Sequence, residues 1–307
     1  MQKDISIIVA TKDRKDILLE STAKNILVAK QFNCEYIVVN DGDAFAFSEA
    51  MSDVLLLNNQ KKGVSKARNT GAAIATGELL FFIDDDMWIT SKTIETILAL
   101  KKDNYFNDTA VVMNWVYPAP LQNSLQHKKI GRYILQANYH TLEGRSNKKI
   151  DYSKSLLSVN GMGSGSFVIA KRIFEKIGGY SEHIIFQGED IDMAQKITKE
   201  NIGMLLSTPI TCFHNQKDRL TIKDFLLREE NGYRSQVAAG MVDMKKSKIK
   251  FYGLLLPFTP LFKILFNLIP NRSFFDLITF RLIGILSSLT YVKAIRKKDS
   301  KLGCDSL

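Results

Sequence analysis

The sequence predicts an α/β fold, a mostly parallel sheet flanked by helices, followed by a helical C-terminal appendage. Three observations carry this expectation. Short apolar runs end in acidic residues, as strands buried on both faces do when they open into a site. Helical segments separate these runs at roughly 25 to 35 residues per unit, the rhythm of strand–helix–strand folds. The last third of the chain then changes composition, becoming basic and interrupted by uncharged stretches.

Residues 5–10 (Ile-Ser-Ile-Ile-Val-Ala) read as the first buried strand, Thr11-Lys12-Asp13-Arg14 as the turn after it, and residues 15–30 as a helix. Residues 35–40 form a second strand ending in Asp41-Gly42-Asp43, and residues 54–57 a short third. Ser65 reads as the N-cap of a helix reaching Ala75. Ala67, Gly71 and Ala75 give that helix a small face that lets it lie close to a sheet. Residues 79–83 form a strand that runs into Asp84-Asp85-Asp86, with a helix over 91–101. Further strands are expected at 110–116, 166–170, 204–207 and 211–214, and helices at 171–177, stopped by Gly178-Gly179, and at 189–199. Residues 118–151 are polar and basic with few periodic apolar positions, and read as a long, partly ordered loop. Ligands on such sheets gather at the carboxyl ends of strands, where Asp13, Asp41 and Asp84 all fall.

The chain of 307 residues is long enough for one large domain plus an appendage. Its three cysteines, Cys34, Cys212 and Cys304, have no metal spacing, which fits a reducing compartment without a disulfide framework. A strand begins at once, so no secretory leader is expected. Residues 216–307 hold 17 basic and 8 acidic residues, nearly the whole net charge of +10. Such asymmetry points to an acidic surface as partner. Residues 251–262 and 282–292 are uncharged, flanked by lysine and arginine, and shorter than the roughly 18 to 20 residues that span a bilayer. They fit helices lying in a membrane interface, a reading that competes with an ordinary helical cap. Nucleic-acid modules interleave basic residues with exposed aromatics or carry a defined motif, and the apolar runs here favour lipid instead, so nucleic acid is not expected as partner. The domains expected are residues 1–216, catalytic, and 217–307, basic and helical.

Asp84-Asp85-Asp86 carries the chemistry. Three adjacent carboxylates at a buried strand's end repel one another and are costly unless a cation sits there. Hard divalent ions such as Mn2+ or Mg2+ take carboxylate oxygens and share the rest of their shell with water and substrate phosphates. On a turn, Asp84 and Asp86 can point one way while Asp85 points elsewhere. The plainer alternative is an acidic loop capping the next helix. Glu189-Asp190 is a second acidic pair, at a helix start where the dipole alone would favour it. Gly161-Met162-Gly163-Ser164-Gly165-Ser166 is a turn where backbone can approach a ligand closely; it leads into a strand, unlike a dinucleotide fingerprint. Trp115 and Tyr117 are candidates to stack on a sugar ring, with core packing favoured for Trp115.

The order of these blocks resembles family 2 glycosyltransferases of the bacterial polysaccharide or glycolipid type. The blocks are residues 5–11, Val39-Asn40-Asp41-Gly42, residues 63–71, residues 80–86, Gly178-Gly179-Tyr180, Gln187-Gly188-Glu189-Asp190-Ile191-Asp192 and Phe213-His214. They cover about residues 1–216; the last third matches no motif. The resemblance implies a GT-A fold and an inverting hexosyltransferase that takes a nucleotide-sugar donor, a UDP-sugar above others, and a saccharide or lipid-linked acceptor. It implies a peripheral place at the inner face of the cell membrane. It assigns Thr11, Asp13, Arg14, Asp41, Arg68, Asp84 and Asp85 to the nucleotide pocket, and Asp86 with Asp84 to a Mn2+ or Mg2+ ion. Asp190 becomes the general base and Glu189 its partner at the acceptor. His214 is a third metal ligand, a phosphate ligand or a structural histidine. A nucleotidyltransferase would want a glycine-rich loop after the first strand, which Thr11-Lys12-Asp13-Arg14 lacks, and a non-catalytic nucleotide or nucleic-acid binder leaves Glu189-Asp190 unexplained.

Overall fold

The computed structural model describes residues 3–59, 63–146, 149–161, 163, 165–184, 188–218, 220–238 and 244–302. Gln187 of the acidic block, Met162 and Ser164 of the glycine turn, and Cys304 lie outside the described residues. In chain order the elements are β1 (Ile5–Thr11), α1 (Lys15–Gln31), β2 (Glu35–Asn40), β3 (Leu55–Asn58), α2 (Val64–Ile74), β4 (Leu79–Asp84), β5 (Met87–Ile89), α3 (Ser91–Lys102) and β6 (Thr109–Val116). There follow α4 (Ala119–Leu125), α5 (Lys129–Gln136), α6 (Leu142–Ser146), β7 (Leu156–Ser158), β8 (Ser166–Ala170), α7 (Lys171–Lys176), α8 (Glu189–Lys199) and β9 (Gly203–His214). The chain continues as α9 (Ile222–Ala238), α10 (Lys246–Leu255), α11 (Thr259–Leu268) and α12 (Asp276–Leu302). It packs as two compact units, residues 1–118 with 141–216 and residues 119–140 with 217–307.

The first unit is built on one mixed sheet in the order β3-β2-β1-β4-β8-β6-β9-β5, with β7 paired to β9. The β3-β2-β1-β4 half is parallel, and β8 runs antiparallel to both β4 and β6. β1 and β4 are apolar on both faces because helices cover both; Ile5, Ile7, Ile8 and residues 79–83 are all buried. Each such side chain contributes roughly 1.5–3 kcal/mol on burial. Phe82 packs among Phe167, Phe174 and Tyr180, which ties β4 to β8 and α7. The two strands expected at 204–207 and 211–214 are one, β9. It survives the exposed Pro209 through register shifts opposite Asn114, whose side-chain amide donates to the Thr208 carbonyl at 2.7 Å. Ser65 is not the N-cap of α2. Gly63, at φ 128°, takes that position, and the Ser65 hydroxyl donates to the Ile184 carbonyl instead.

The second unit is helical. α12 packs along α9, with α5, α10 and α11 also against it. Leu282, Ile283, Leu286 and Leu289 of α12 and Phe225 and Leu226 of α9 are buried there. Lys129 donates to the Phe266 and Ile269 carbonyls at 2.6 and 2.8 Å, a cation on the negative end of α11. Arg132 pairs with Asp276 at the start of α12. Residues 118–151, expected as a loop, hold α4, α5 and α6. Helices of five to eight residues carry too few apolar positions for a period to register; in α5 the signal is Ile130 and Ile134 alone. The apolar runs also extend further than composition suggests. Pro257 and Pro260 fall at helix starts, where their missing N–H groups cost little, so helix continues past them. Residues 246–268 and 273–296 thereby become helical stretches of 23 and 24 residues, long and apolar enough to cross a membrane by length and composition.

The close approach of α2 to the sheet depends on a missing side chain. A Cβ on Gly71 would stand 2.5 Å from Cγ2 of Ile8, a β-branched residue locked in a central strand. Gly71→Val is therefore expected to lower stability by about 1–3 kcal/mol in urea unfolding, despite removing a helical glycine.

Candidate active site

Register gathers the site. β1 pairs with both parallel neighbours so that Thr11 lies beside Asn40 and Ala10 beside Asp84. The loops after β1, β2 and β4 therefore open at one edge. The antiparallel pairing of β5 with β9 sets Met87 opposite His214, and the Asn215 amide donates to the Asp86 carbonyl at 2.7 Å. His214 is thus carried from far along the chain to the residue following the aspartates.

Each aspartate has its own partners. Asp84 pairs with Arg68 at 3.0 Å. Asp85 turns away, accepting from the Thr11 hydroxyl at 2.7 Å and pairing with Arg14. Asp86 pairs with the second arm of Arg14 at 2.8 Å and faces His214 Nε2 at 3.0 Å. Burial raises the Asp85 carboxyl, and its neighbour Asp86 adds to the rise. Burial alone would raise Asp86 as well, but His214 and Arg14 outweigh it and hold that carboxyl well below the usual range. Thr11 and Arg14 thus fix the turn that presents Asp84 and Asp86.

Asp84, Asp86 and His214 each offer a ligand atom, and these atoms lie within 4.8 Å of one another. The donor set suits a divalent cation, and the surrounding hydrogen bonds sharpen the fit. Gln216 Oε1 faces the Tyr117 hydroxyl at 2.7 Å and the Arg145 guanidinium at 3.4 Å. Arginine only donates, so this oxygen accepts and the Gln216 amide nitrogen points at His214 Nε2, 2.9 Å away. The Asp86 oxygen that lies 3.0 Å from His214 Nε2 is buried without a hydrogen-bond donor. A buried carboxylate oxygen with no donor of its own suits a cation. Gly165 makes room beside them: a Cβ there would stand 2.8 Å from the Asp84 carboxylate.

Arg68 links this cluster to the second acidic pair. Buried beneath Tyr180, it holds Asp84 with one nitrogen and Glu189 with the other, at 3.0 and 2.8 Å. Glu189 and Asp190 open α8 after Gly188, whose φ of 104° suits glycine, and the helix N-terminus favours both acids. Burial, then the neighbouring Glu189, pushes the Asp190 carboxyl up to about 6. Asp84, His214 and Asp190 line one cleft of about 760 Å³.

Asp41 and Asp13 stand at the adjoining loops. Both oxygens of the buried Asp41 lie 2.9 Å from the Gly63 amide. Asp13, at φ 54°, folds over Gly42 and accepts weakly from the Asp43 amide. Trp115 packs edge-on to His214 at 4.7 Å and reaches the cleft with little of its ring exposed, while Tyr117 is fully buried and offers no face to a sugar. The Tyr117–Gln216–Arg145 network escaped sequence reasoning. The signal for Gln216 was its position two residues after His214, on the same face of an extended chain.

Known proteins give this arrangement its context. The profile described as glycosyltransferase like family 2 matches residues 6–240. Polypeptide N-acetylgalactosaminyltransferase 5 of Caenorhabditis elegans is 28% identical over 153 residues, 47% of this chain and 24% of that protein. The Escherichia coli UDP-Glc:alpha-D-GlcNAc-diphosphoundecaprenol beta-1,3-glucosyltransferase WfaP is 28% identical over 130 residues, 38% of this chain and 51% of that protein. The chain thus spans about a quarter and about half of these relatives' lengths. A crystal structure of GalNAc-T7 with UDP, GalNAc and Mn2+ aligns at a TM-score of 0.49 and 13% identity, over 70% of this chain and 43% of that one, a likeness too distant to carry an argument. The mixed sheet with its parallel first half is the GT-A type of architecture that the sequence motifs imply. With the profile covering most of its length, the chain belongs to glycosyltransferase like family 2.

Proposed function

We propose that the protein is an inverting glycosyltransferase that moves a sugar from a UDP-sugar to a hydroxyl of a saccharide or lipid-linked saccharide. The observation that carries this reading is the convergence of Asp84 and His214 in one cleft with Asp190, with a ligand atom of Asp86 within 4.8 Å of theirs. Asp86, Asp84 and His214 would hold Mn2+ or Mg2+, which when bound neutralises charge on the departing diphosphate. Asp41, Asp13 and Arg68 face the nucleoside side, while Thr11, Arg14 and Asp85 keep the aspartate turn in shape.

The acceptor hydroxyl is a very weak acid, so its attack on the anomeric carbon needs a base as the bond to the diphosphate breaks. Asp190 takes that proton on its carboxylate. Its raised pKa makes it a better base than a solvated aspartate and still ionised at neutral pH. Glu189, fixed by Arg68, orients the acceptor or the base. Asp190→Asn is expected to lower the transfer rate about 10²- to 10⁴-fold while UDP affinity changes little. Because the base must be deprotonated, wild-type kcat is expected to fall as pH drops through about 6. Wild-type turnover by the Asn variant would remove Asp190 from this role.

The second unit supports a place at the cytoplasmic face of a membrane. Phe251, Leu254, Phe258, Leu261, Leu268 and Phe274 are exposed, and Lys246, Lys248, Lys250 and Lys263 lie among them. The residue 246–268 stretch is only 11% buried. An apolar face fringed by lysines fits the boundary of an anionic bilayer. The full chain is expected to co-sediment with phosphatidylglycerol vesicles, and Leu254→Glu with Leu261→Glu to weaken this at least tenfold. Equal sedimentation of that variant, or none by the wild type, would reject membrane contact.

A further inference from the structure

The cleft beside Asp190 carries positive charge that the donor reading leaves unassigned. Arg145, Lys149 and Lys154 line it, between an apolar wall that includes Leu142, Leu157 and Leu206 and the acids already described. Arg145 is engaged with Tyr117 and Gln216. The two lysines are not: among the described residues neither ammonium forms an ion pair or a hydrogen bond. The acids of the cleft are met elsewhere, Asp84 by Arg68, Asp190 by the Ile191 amide and Asp151 by the Ser153 amide and hydroxyl. Lys154 lies near enough to Asp151 to lower its carboxyl further, without a salt bridge.

The segment that bears the lysines is anchored. The Ile150 amide donates to Glu143 Oε1 at 2.9 Å, and Ile150 itself is buried. The Thr208 amide and hydroxyl donate to the Ser155 and Lys154 carbonyls. Two cations thus rise from the anchored segment 149–155 into a cleft that also holds the proposed base. On the reading above, a cation held by Asp84, Asp86 and His214 would offset the donor diphosphate, which leaves the two lysines open to a second anion.

Resting on that reading, we propose that the acceptor bears a phosphate, and that Lys149 and Lys154 seat it in this cleft next to the attacking hydroxyl. A phosphate has enough charge and enough oxygens to engage two separate ammonium groups, which act as point charges rather than as a planar fork. The site would therefore favour phosphorylated acceptors over neutral sugars of the same shape.

The alternative source of a phosphate is the donor itself, and calorimetry separates the two. The full chain is titrated with UDP in the presence of Mn2+. The UDP-saturated protein is then titrated with α-D-glucose 1-phosphate and with methyl α-D-glucoside. Wild type should bind the sugar phosphate and bind the neutral glycoside at least tenfold more weakly. Lys149→Ser with Lys154→Ser, a change at two exposed side chains, should weaken the sugar phosphate at least tenfold and leave UDP affinity within threefold. Unchanged or undetectable binding of the sugar phosphate, equal binding of the neutral glycoside, or a matching loss of UDP affinity in the variant would each overturn the subsite. A wild type that fails to bind UDP would instead overturn the donor reading and this inference with it.

Discussion

Arg14 and Arg68 are what allow this strand to end as it does. Three consecutive carboxylates at the end of a buried β4 would repel one another and resist ionisation. The two guanidinium groups, one on Asp85 and Asp86 and the other on Asp84 and Glu189, offset part of the cluster's negative charge without closing it. Removing either partner of such a buried pair leaves an uncompensated charge, which is far costlier than the net worth of the pair. The pairing also decides direction. Asp85 is drawn back to Thr11, which leaves Asp84 to the cleft and Asp86 to His214.

The scaffold turns that local balance into a site through register. Parallel pairing of β1 with β2 and β4 aligns three loops, and β9 returns from the far half of the chain to lay His214 against Asp86. Arg68 reaches both acidic groups because Gly71 lets α2 lie on Ile8 and Val39. A packing detail, a missing methyl group, therefore sets the reach of a charged one.

Much of this could be read from residues in order. Apolar runs bounded by acids gave β1, β2 and β4, because a strand buried on both faces has little choice of composition. The aspartate triplet announced a cation because its isolated cost is high. What stayed hidden depends on contacts between distant segments. Nothing near Arg145 or Tyr117 reveals that they meet Gln216, since the bulged β6–β9 register brings Tyr117 there and Arg145 comes from α6. The helices at 119–146 were too short to show a period. The apolar stretch at 246–268 looked broken by Pro257 and Pro260, which instead sit where a helix tolerates them.

The central claim is that Asp84, Asp86 and His214 gather one divalent cation. Anomalous diffraction from crystals of the full chain grown with UDP and Mn2+ tests it most directly. The account predicts a single manganese peak bonded to Asp86 and His214 Nε2, with UDP phosphate oxygens and Asp84 at or next to its shell. A manganese peak held by other residues, or UDP bound with no metal at these three, would contradict it.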